Sequence, residues 1–300
     1  MIKPFPKPSV HPRPRIRLPV RRRMTAILGM HYINGVLMMA DTEESLGVDA
    51  KSECDKLERF IFKLGNNSGT VLTGGAGDTH LIECANQELH RLFAAGIKQG
   101  DEVVQVLNEF AGMFFERSMQ GYEGSHPDYA PHFDMLIAVN IRPMTWLFKW
   151  HRNRVVLVPP LTHVSVGSGE TQLHPMLRDC QLSGVDEVML FLGLRMMFYT
   201  KRQVVGVGGK TEAVALQNDG ITHFWGTDTT AKIEALVSNL DRFLTQYLYT
   251  SISHVTANVK DVEKAVNKNL ADLPKMMRMY RREYKKIITQ SGARTSEDQQ

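Results

Sequence analysis

The sequence predicts an α+β fold in which strands and helices follow one another in groups. Two short apolar runs flank Asn34-Gly35, the strongest short-range signal for a β-hairpin. Amphipathic helix patterns at 79–96 and 101–119 come next, and a long apolar helix pattern lies at 185–200. The predicted order is strands, two helices, strands, two helices, strands and a helical end. This order alone indicates the α+β class and no particular architecture.

The first half of the chain predicts two strands and two helices after the hairpin. Strands are expected at 56–64 and 70–73, where aromatic and β-branched residues cluster. The glycines of 74–77 predict a turn into the first helix, with Asp78 or Thr79 as the N-cap. A second helix is expected to begin near Asp101.

The second half predicts further strands, two helices and a hairpin, and then two C-terminal helices. The amphipathic pattern of the last two helices fits equally well a pair packed on its own subunit and a contact between subunits. Pro274 should kink or break the second of them. The expected strands are 133–141, 144–150, 155–158, 163–166, 211–216 and 221–225, and the expected helices are 171–177, 185–200, 229–253 and 258–288.

Residues 1–24 differ from the rest of the chain in charge and composition. They contain eight Lys or Arg residues, no acidic residue and six prolines, which exclude a regular helix or a central strand. Removing these eight charges from the formal +4 leaves about −4 on the remainder, so no basic nucleic-acid surface is expected there. The segment is interpreted as a propeptide, or as an upstream extension with translation starting at Met24. Both interpretations leave Thr25 as the mature terminus.

Several other classes of site are not indicated by the sequence. No apolar run reaches the ~18 residues of a membrane-spanning helix, so we expect a soluble, cytoplasmic protein with no membrane partner. The three cysteines form no CxxC pair, which argues against a zinc site and a disulfide framework. The histidines show neither metal nor triad spacing, and no cofactor is expected. The residues concerned are Cys54, Cys84, Cys180, His31, His163 and His174.

Thr25, Asp41 and Lys56 form the candidate catalytic constellation. Thr25 opens the first strand, Asp41 ends the second, and Lys56 begins another. A threonine with a free α-amine can act as a nucleophile, because the amine removes the hydroxyl proton. A nearby lysine would lower the pKa of that amine, and an aspartate would hold the lysine in place.

The motifs resemble the start of a proteasome β-subunit-type N-terminal-nucleophile threonine hydrolase. The resemblance lies in Thr-x-x-x-Gly from Thr25, Gly-Val-x-x-x-Ala-Asp ending at Asp41, and the glycine-rich stretch 73–79. Weaker matches occur at 167–169 and 208–209. This resemblance implies a four-layer αββα sandwich over residues 25–228, with 229–300 as an additional helical extension. It also implies a threonine endopeptidase that cleaves unfolded peptide inside a homo-oligomeric ring, with a regulatory ATPase left open.

The resemblance also implies roles for further residues. The Gly74 N–H would stabilise the oxyanion, and the Ser168 hydroxyl would orient the α-amine. Leu72 and Ala76 would line an apolar substrate pocket, whereas Glu44 would favour a basic substrate residue. Val204 and Val207 stand where the family usually has an Asp and a Ser that hold the α-amine.

Two other functions remain open at this stage. The chain could be a non-catalytic assembly subunit in which Thr25 stays blocked by residues 1–24. It could also be an amidase or peptide ligase that uses the same acyl-threonine chemistry on a narrower substrate.

Overall fold

The computed structural model describes residues 25–45, 51–64, 67–96, 103–123, 133–178, 180, 182–253, 259–291 and 294–295. The fold is mixed α+β, as the sequence predicts. The strands are β1 Ala26–Tyr32, β2 Gly35–Asp41, β3 Glu43–Ser45, β4 Lys51–Glu53, β5 Leu57–Leu64, β6 Asn67–Gly77, β7 Phe133–Ile141, β8 Met144–His151, β9 Arg154–Leu157, β10 His163–Gly167, β11 Thr211–Gln217, β12 Thr222–Trp225 and β13 Arg294–Thr295. The helices are α1 Thr79–Ala94, α2 Val103–Glu123, α3 Glu170–Leu177, α4 Asp186–Gln203, α5 Thr227–Ser253 and α6 Val259–Ser291.

The first hairpin forms the centre of a six-stranded sheet of order β10-β1-β2-β11-β12-β13. The neighbouring strands pair antiparallel, and β2 lies between β1 and β11. The hairpin is confirmed, but its loop is Ile33–Asn34, because Tyr32 pairs with Gly35. Neither loop residue has a positive φ, so the turn is not of type I′, the type that an Asn-Gly pair favours in two-residue hairpin loops.

A five-stranded antiparallel sheet of order β5-β6-β7-β8-β9 forms the second large sheet. The sheet includes the glycines that the sequence assigns to a turn, because β6 continues to Gly77 alongside β7. Pairing with β7 along its whole length, and with β5 at Gly74, holds this stretch extended despite the low strand propensity of glycine. A Cβ on Gly75 would lie 2.5 Å from Cγ2 of Ile82 in α1, so close packing of the helix requires glycine there.

The helix α1 begins as the sequence predicts. Asp78 is the N-cap, and its side chain accepts a hydrogen bond from the N–H of Leu81. Helices α1 and α2 pack on the five-stranded sheet through one cluster of buried apolar side chains, which includes Phe93, Phe110 and Trp150. This cluster covers the face of the sheet that points away from the other large sheet.

A separate apolar cluster joins the two large sheets to each other. Alternate residues of β2, namely Val36, Met38 and Ala40, belong to it, together with Leu72 of β6 and Leu136 of β7. The intervening β2 residues, Leu37 and Met39, instead join a cluster on the helix side. Since successive strand residues point to opposite faces, β2 is buried on both sides and reads as one continuous apolar run.

The remaining helices pack on the six-stranded sheet. Ile233 and Val237 of α5 are buried in the same cluster as residues of β1, β2 and α4, and Tyr284 of α6 packs against it. The Tyr284 hydroxyl donates to the carbonyl oxygen of Glu187 at 2.5 Å. The C-terminal helices therefore pack on their own subunit. Helix α6 continues through Pro274, so the expected break does not occur.

Among the described residues, no helix has both the length and the apolar character needed to cross a membrane.

Candidate active site

Asp41 stands at the end of β2, where its carboxylate accepts hydrogen bonds from three parts of the chain. Its Oδ1 accepts from Thr25 Oγ1 at 2.5 Å, from the Ala26 N–H at 2.8 Å and from Lys56 Nζ at 3.0 Å. Its Oδ2 accepts from the Gly208 N–H at 3.1 Å. Asp41 has no exposed surface, and these donors replace the water that a buried carboxylate loses.

Lys56 completes the constellation from the connection between β4 and β5. Its ammonium donates to Thr25 Oγ1 at 2.7 Å and to the carbonyl oxygen of Glu43 at 2.5 Å, in addition to Asp41. The side chains of Lys56 and Asp41 are fully buried. The structure thus brings together the three residues that the sequence singles out for catalysis.

Thr25 is fixed through its backbone as well as its hydroxyl. Its carbonyl oxygen accepts from Ser168 Oγ at 3.2 Å and from the Gly169 N–H at 3.3 Å. Gly167 has φ +91°, and a Cβ there would lie 2.3 Å from the same carbonyl oxygen. Ser168 therefore holds the Thr25 carbonyl, whereas the resemblance expects it beside the α-amine.

The residues predicted to stabilise the oxyanion and to line the substrate pocket all lie in β-strands. Gly74 lies within β6, opposite Leu57 of β5, instead of in a turn. Leu72 and Ala76 are buried in the cluster between the sheets. The backbone of Glu44 lies in β3, opposite Ser52 of β4, and its side chain lies outside the described part of the structure.

The Gly208 loop is a part of the site that sequence reasoning did not assign. Val204 ends α4 and Val207 packs into the helix-side cluster, so neither offers a polar side chain to Thr25. The backbone N–H of Gly208 contacts Asp41 instead. The only sequence signal for this contact is the paired glycine that follows Val207.

Glu212 of β11 is the second residue that sequence reasoning missed. Its Oε1 accepts from the backbone N–H groups of Lys56 at 2.5 Å and Leu57 at 2.8 Å. Burial is the main cause that raises the pKa of Glu212 to about 7, and the two N–H donors oppose it. A lone acid in an otherwise apolar strand was a signal available in the sequence.

The arrangement suits nucleophilic chemistry at a hydroxyl. A cation and a carboxylate both contact Thr25 Oγ1, so one can stabilise negative charge on the oxygen while the other accepts its hydrogen bond. Within the described residues, no group of three or more His, Cys, Asp or Glu side chains is arranged to hold a metal ion.

The chain is similar in structure to Anbu proteins. No protein-family model and no curated protein matches it. The helical assembly of the Anbu complex from Pseudomonas aeruginosa superposes with a TM-score of 0.61 at 16% identity, covering 75% of this chain and 96% of that one. An Anbu (Gly-1) mutant from Hyphomicrobium sp. strain MC1 gives 0.58 at 15%, covering 74% and 96%. Anbu, described as an ancestral beta-subunit, from Yersinia bercovieri gives 0.55 at 17%, covering 74% and 97%.

These neighbours correct the family assignment made from the motifs. The assignment to proteasome β-subunit-type threonine hydrolases is wrong, because the solved structures found are Anbu proteins and no family model supports that family. At 13–17% identity the likeness shows the fold alone.

The raised pKa of Glu212 predicts a pH dependence of stability. Between pH 4.5 and 7 the folded chain holds a proton that the unfolded chain releases, so the free energy of unfolding falls as pH rises through this window. A pKa of about 7 in place of 4.5 corresponds to a loss of about 3 kcal/mol at most. The Glu212→Gln variant has no titratable group at this position, so its stability lacks this dependence on pH. Urea unfolding of both proteins from pH 4 to 8 should show the wild type losing stability relative to the variant, and parallel curves would contradict this.

Proposed function

We propose that this chain is a threonine peptidase in which Thr25 is the nucleophile after removal of residues 1–24. The observation that carries the proposal is the contact of Lys56 Nζ with Thr25 Oγ1 at 2.7 Å, with Asp41 hydrogen-bonded to both. A threonine with only a structural role at the start of a strand would require neither the lysine nor the aspartate. Both partners are buried, which is costly unless the ion pair is well satisfied.

The proposed reaction begins with attack of Thr25 Oγ1 on the carbonyl carbon of a peptide bond. The free α-amine of Thr25 accepts the hydroxyl proton and later gives it to the leaving amine. The ammonium of Lys56 stabilises the oxygen as its proton leaves, and Asp41 holds that ammonium in place. Water then attacks the acyl ester and releases the second product. The Gly74 N–H is proposed as the oxyanion donor.

Removal of residues 1–24 is part of the proposal because it would free the nitrogen of Thr25. In the full chain this nitrogen belongs to the peptide bond with Met24, so it cannot act as a base. Cleavage before Thr25 would create the amine on the same residue as the hydroxyl.

The architecture proposed is the four-layer αββα sandwich. Its support is the set of three apolar clusters, one between the two large sheets and one on the outer face of each. We further propose that residues 25–228 form the hydrolase domain, with 229–300 as its helical extension. Glu44, Leu72 and Ala76 are retained as proposed substrate contacts, and reaching the last two would require an opening between the sheets.

A homo-oligomer that encloses the sites is proposed as the working form. One of the similar structures is described as a helical assembly of the Anbu complex. This description supports the formation of an oligomer but favours no particular ring. Unfolded peptide in the cytoplasm is the proposed substrate, because enclosure excludes folded proteins. A regulatory ATPase stays an open proposal.

A second candidate is a non-catalytic assembly subunit. The complete burial of Thr25 in the full chain favours it, since a permanently covered hydroxyl cannot meet a substrate. The two candidates differ in whether residues 1–24 are lost.

The first test is the identity of the mature N-terminus. We expect intact-mass measurement of active protein to give a chain that begins at Thr25, because only then do a free amine and the hydroxyl coexist on one residue. Retention of Met1 or Met24 in protein with full activity would exclude the proposed base. Retention in inactive protein would favour the assembly subunit.

The second test is hydrolysis of short fluorogenic peptides by folded variants. Thr25→Ala should abolish turnover, whereas Thr25→Ser should keep part of it, because serine preserves the hydroxyl and the amine. Lys56→Ala should lower turnover at least ~10²-fold, as is typical for loss of a group that stabilises developing negative charge. Lys56→Arg should not restore it, since a planar guanidinium cannot occupy the same point beside Asp41.

The matched control for the lysine variants is Lys210→Ala. Lys210 lies close to Gly208 in the chain, but its ammonium pairs with Asp228 at 3.1 Å outside the site. Its loss should leave turnover within about two-fold, as expected for an exposed ion pair. Wild-type turnover that survives both Thr25→Ala and Lys56→Ala would place the chemistry on other residues.

The third test is the oligomeric state. Light scattering at micromolar concentration should show an assembly of many subunits whenever peptidase activity is present. An active monomer would contradict enclosure of the site.

A further inference from the structure

Glu212 joins the two large sheets at the position of Lys56. Thr25 and Asp41 belong to the strand pair at the centre of the six-stranded sheet, and Glu212 lies beside them, since it pairs with Ala40. Lys56 instead leads into β5 of the five-stranded sheet. The contact between Lys56 Nζ and Thr25 Oγ1 therefore depends on how the two sheets are held together at this point.

The direction of the Glu212 side chain follows from strand alternation. Val214 and Leu216, two and four residues later in β11, face the cluster between the sheets, whereas Ala213 and Ala215 face the helices. Glu212 has the same parity as Val214, so its carboxylate enters the layer between the sheets.

The backbone of Lys56 offers a donor that the sheet does not use. The first pair of the ladder between β5 and β6 is Leu57 with Gly74, so Lys56 lies just before the paired strand. Glu212 Oε1 accepts the N–H groups of both Lys56 and Leu57, at 2.5 and 2.8 Å. One carboxylate oxygen thus fixes the main chain at the residue whose side chain enters the site.

We propose that Glu212 is a positioning residue that sets the reach of Lys56 to Thr25 by holding the Lys56 backbone to the six-stranded sheet. A lysine side chain has a long, flexible stem, and its ordering is entropically unfavourable. Contacts at both ends, Glu212 at the main chain and Thr25, Asp41 and the Glu43 carbonyl at the ammonium, confine it to one arrangement. The catalytic part of this inference rests on the proposed function, whereas the positional part does not.

The test combines lysine labelling with steady-state kinetics on Glu212→Ala and Glu212→Gln. Acetic anhydride labels lysines that reach solvent, and mass spectrometry measures the rate at each site. We expect Glu212→Ala to raise labelling of Lys56 at least ten-fold. Lys201 is the internal control, because its side chain is only 10% exposed, pairs with Glu234 and also contacts Thr211 of β11. Its labelling should stay within two-fold.

The kinetic readout separates positioning from substrate binding. On short fluorogenic peptides, Glu212→Ala should lower kcat about ten-fold or more and leave KM within two-fold. Glu212→Gln keeps an acceptor oxygen at the same distance and should recover most of both readouts. If Glu212→Ala does not fold, Glu212→Asp, whose shorter side chain cannot reach both N–H groups, replaces it with the same expected results.

The outcomes distinguish this inference from the proposed function. Unchanged labelling of Lys56 in a folded variant overturns the positioning role, as does an equal rise at Lys201, which would indicate general loosening of β11. If Glu212→Ala raises labelling at Lys56 alone and the wild type hydrolyses no peptide, the result supports the positioning role and contradicts the proposed peptidase. A rise at Lys56 with unchanged kcat would overturn the catalytic part.

Discussion

The buried ion pair between Asp41 and Lys56 is the interaction on which the candidate site depends. Removing two charges from water is expensive, and the cost is offset only when other groups satisfy the remaining hydrogen bonds. Here the donors and acceptors come from the first strand, the Gly208 loop and the Glu43 carbonyl. The same pair ties the two large sheets together, so the fold and the site share one constraint.

Two glycines near the site allow the main chain to pack closely around Thr25. A Cβ on Gly167 would collide with the Thr25 carbonyl, and a Cβ on Gly169 would lie 2.5 Å from that of Ala26. The chain before α3 can therefore approach the start of β1 closely enough for Ser168 to hold Thr25. The position of the hydroxyl results from main-chain packing on one side and from the ion pair on the other.

Fold and function rest on different observations in this protein. The likeness to Anbu structures supports the arrangement of sheets and helices, but a shared fold does not establish chemistry. The chemistry is argued from the contacts of Thr25, Asp41 and Lys56. The motifs single out three residues that the fold brings together, but they indicate the wrong family, because they are short local patterns that do not represent the whole sequence.

The sequence by itself determined the features that depend on nearby residues. The α+β class, the first hairpin, the Asp78 cap of α1 and the position of Asp41 at a strand end all follow from local patterns. The predicted turn at 74–77 is wrong, because pairing with β7, which is distant in sequence, overrides glycine propensity. The sequence marks Glu212 and Gly208 as unusual but does not reveal their partners, since they reach Lys56 and Asp41 across more than 150 residues. Only tertiary structure decides which strands are neighbours, because burial of both faces of β2 requires partners from distant parts of the chain.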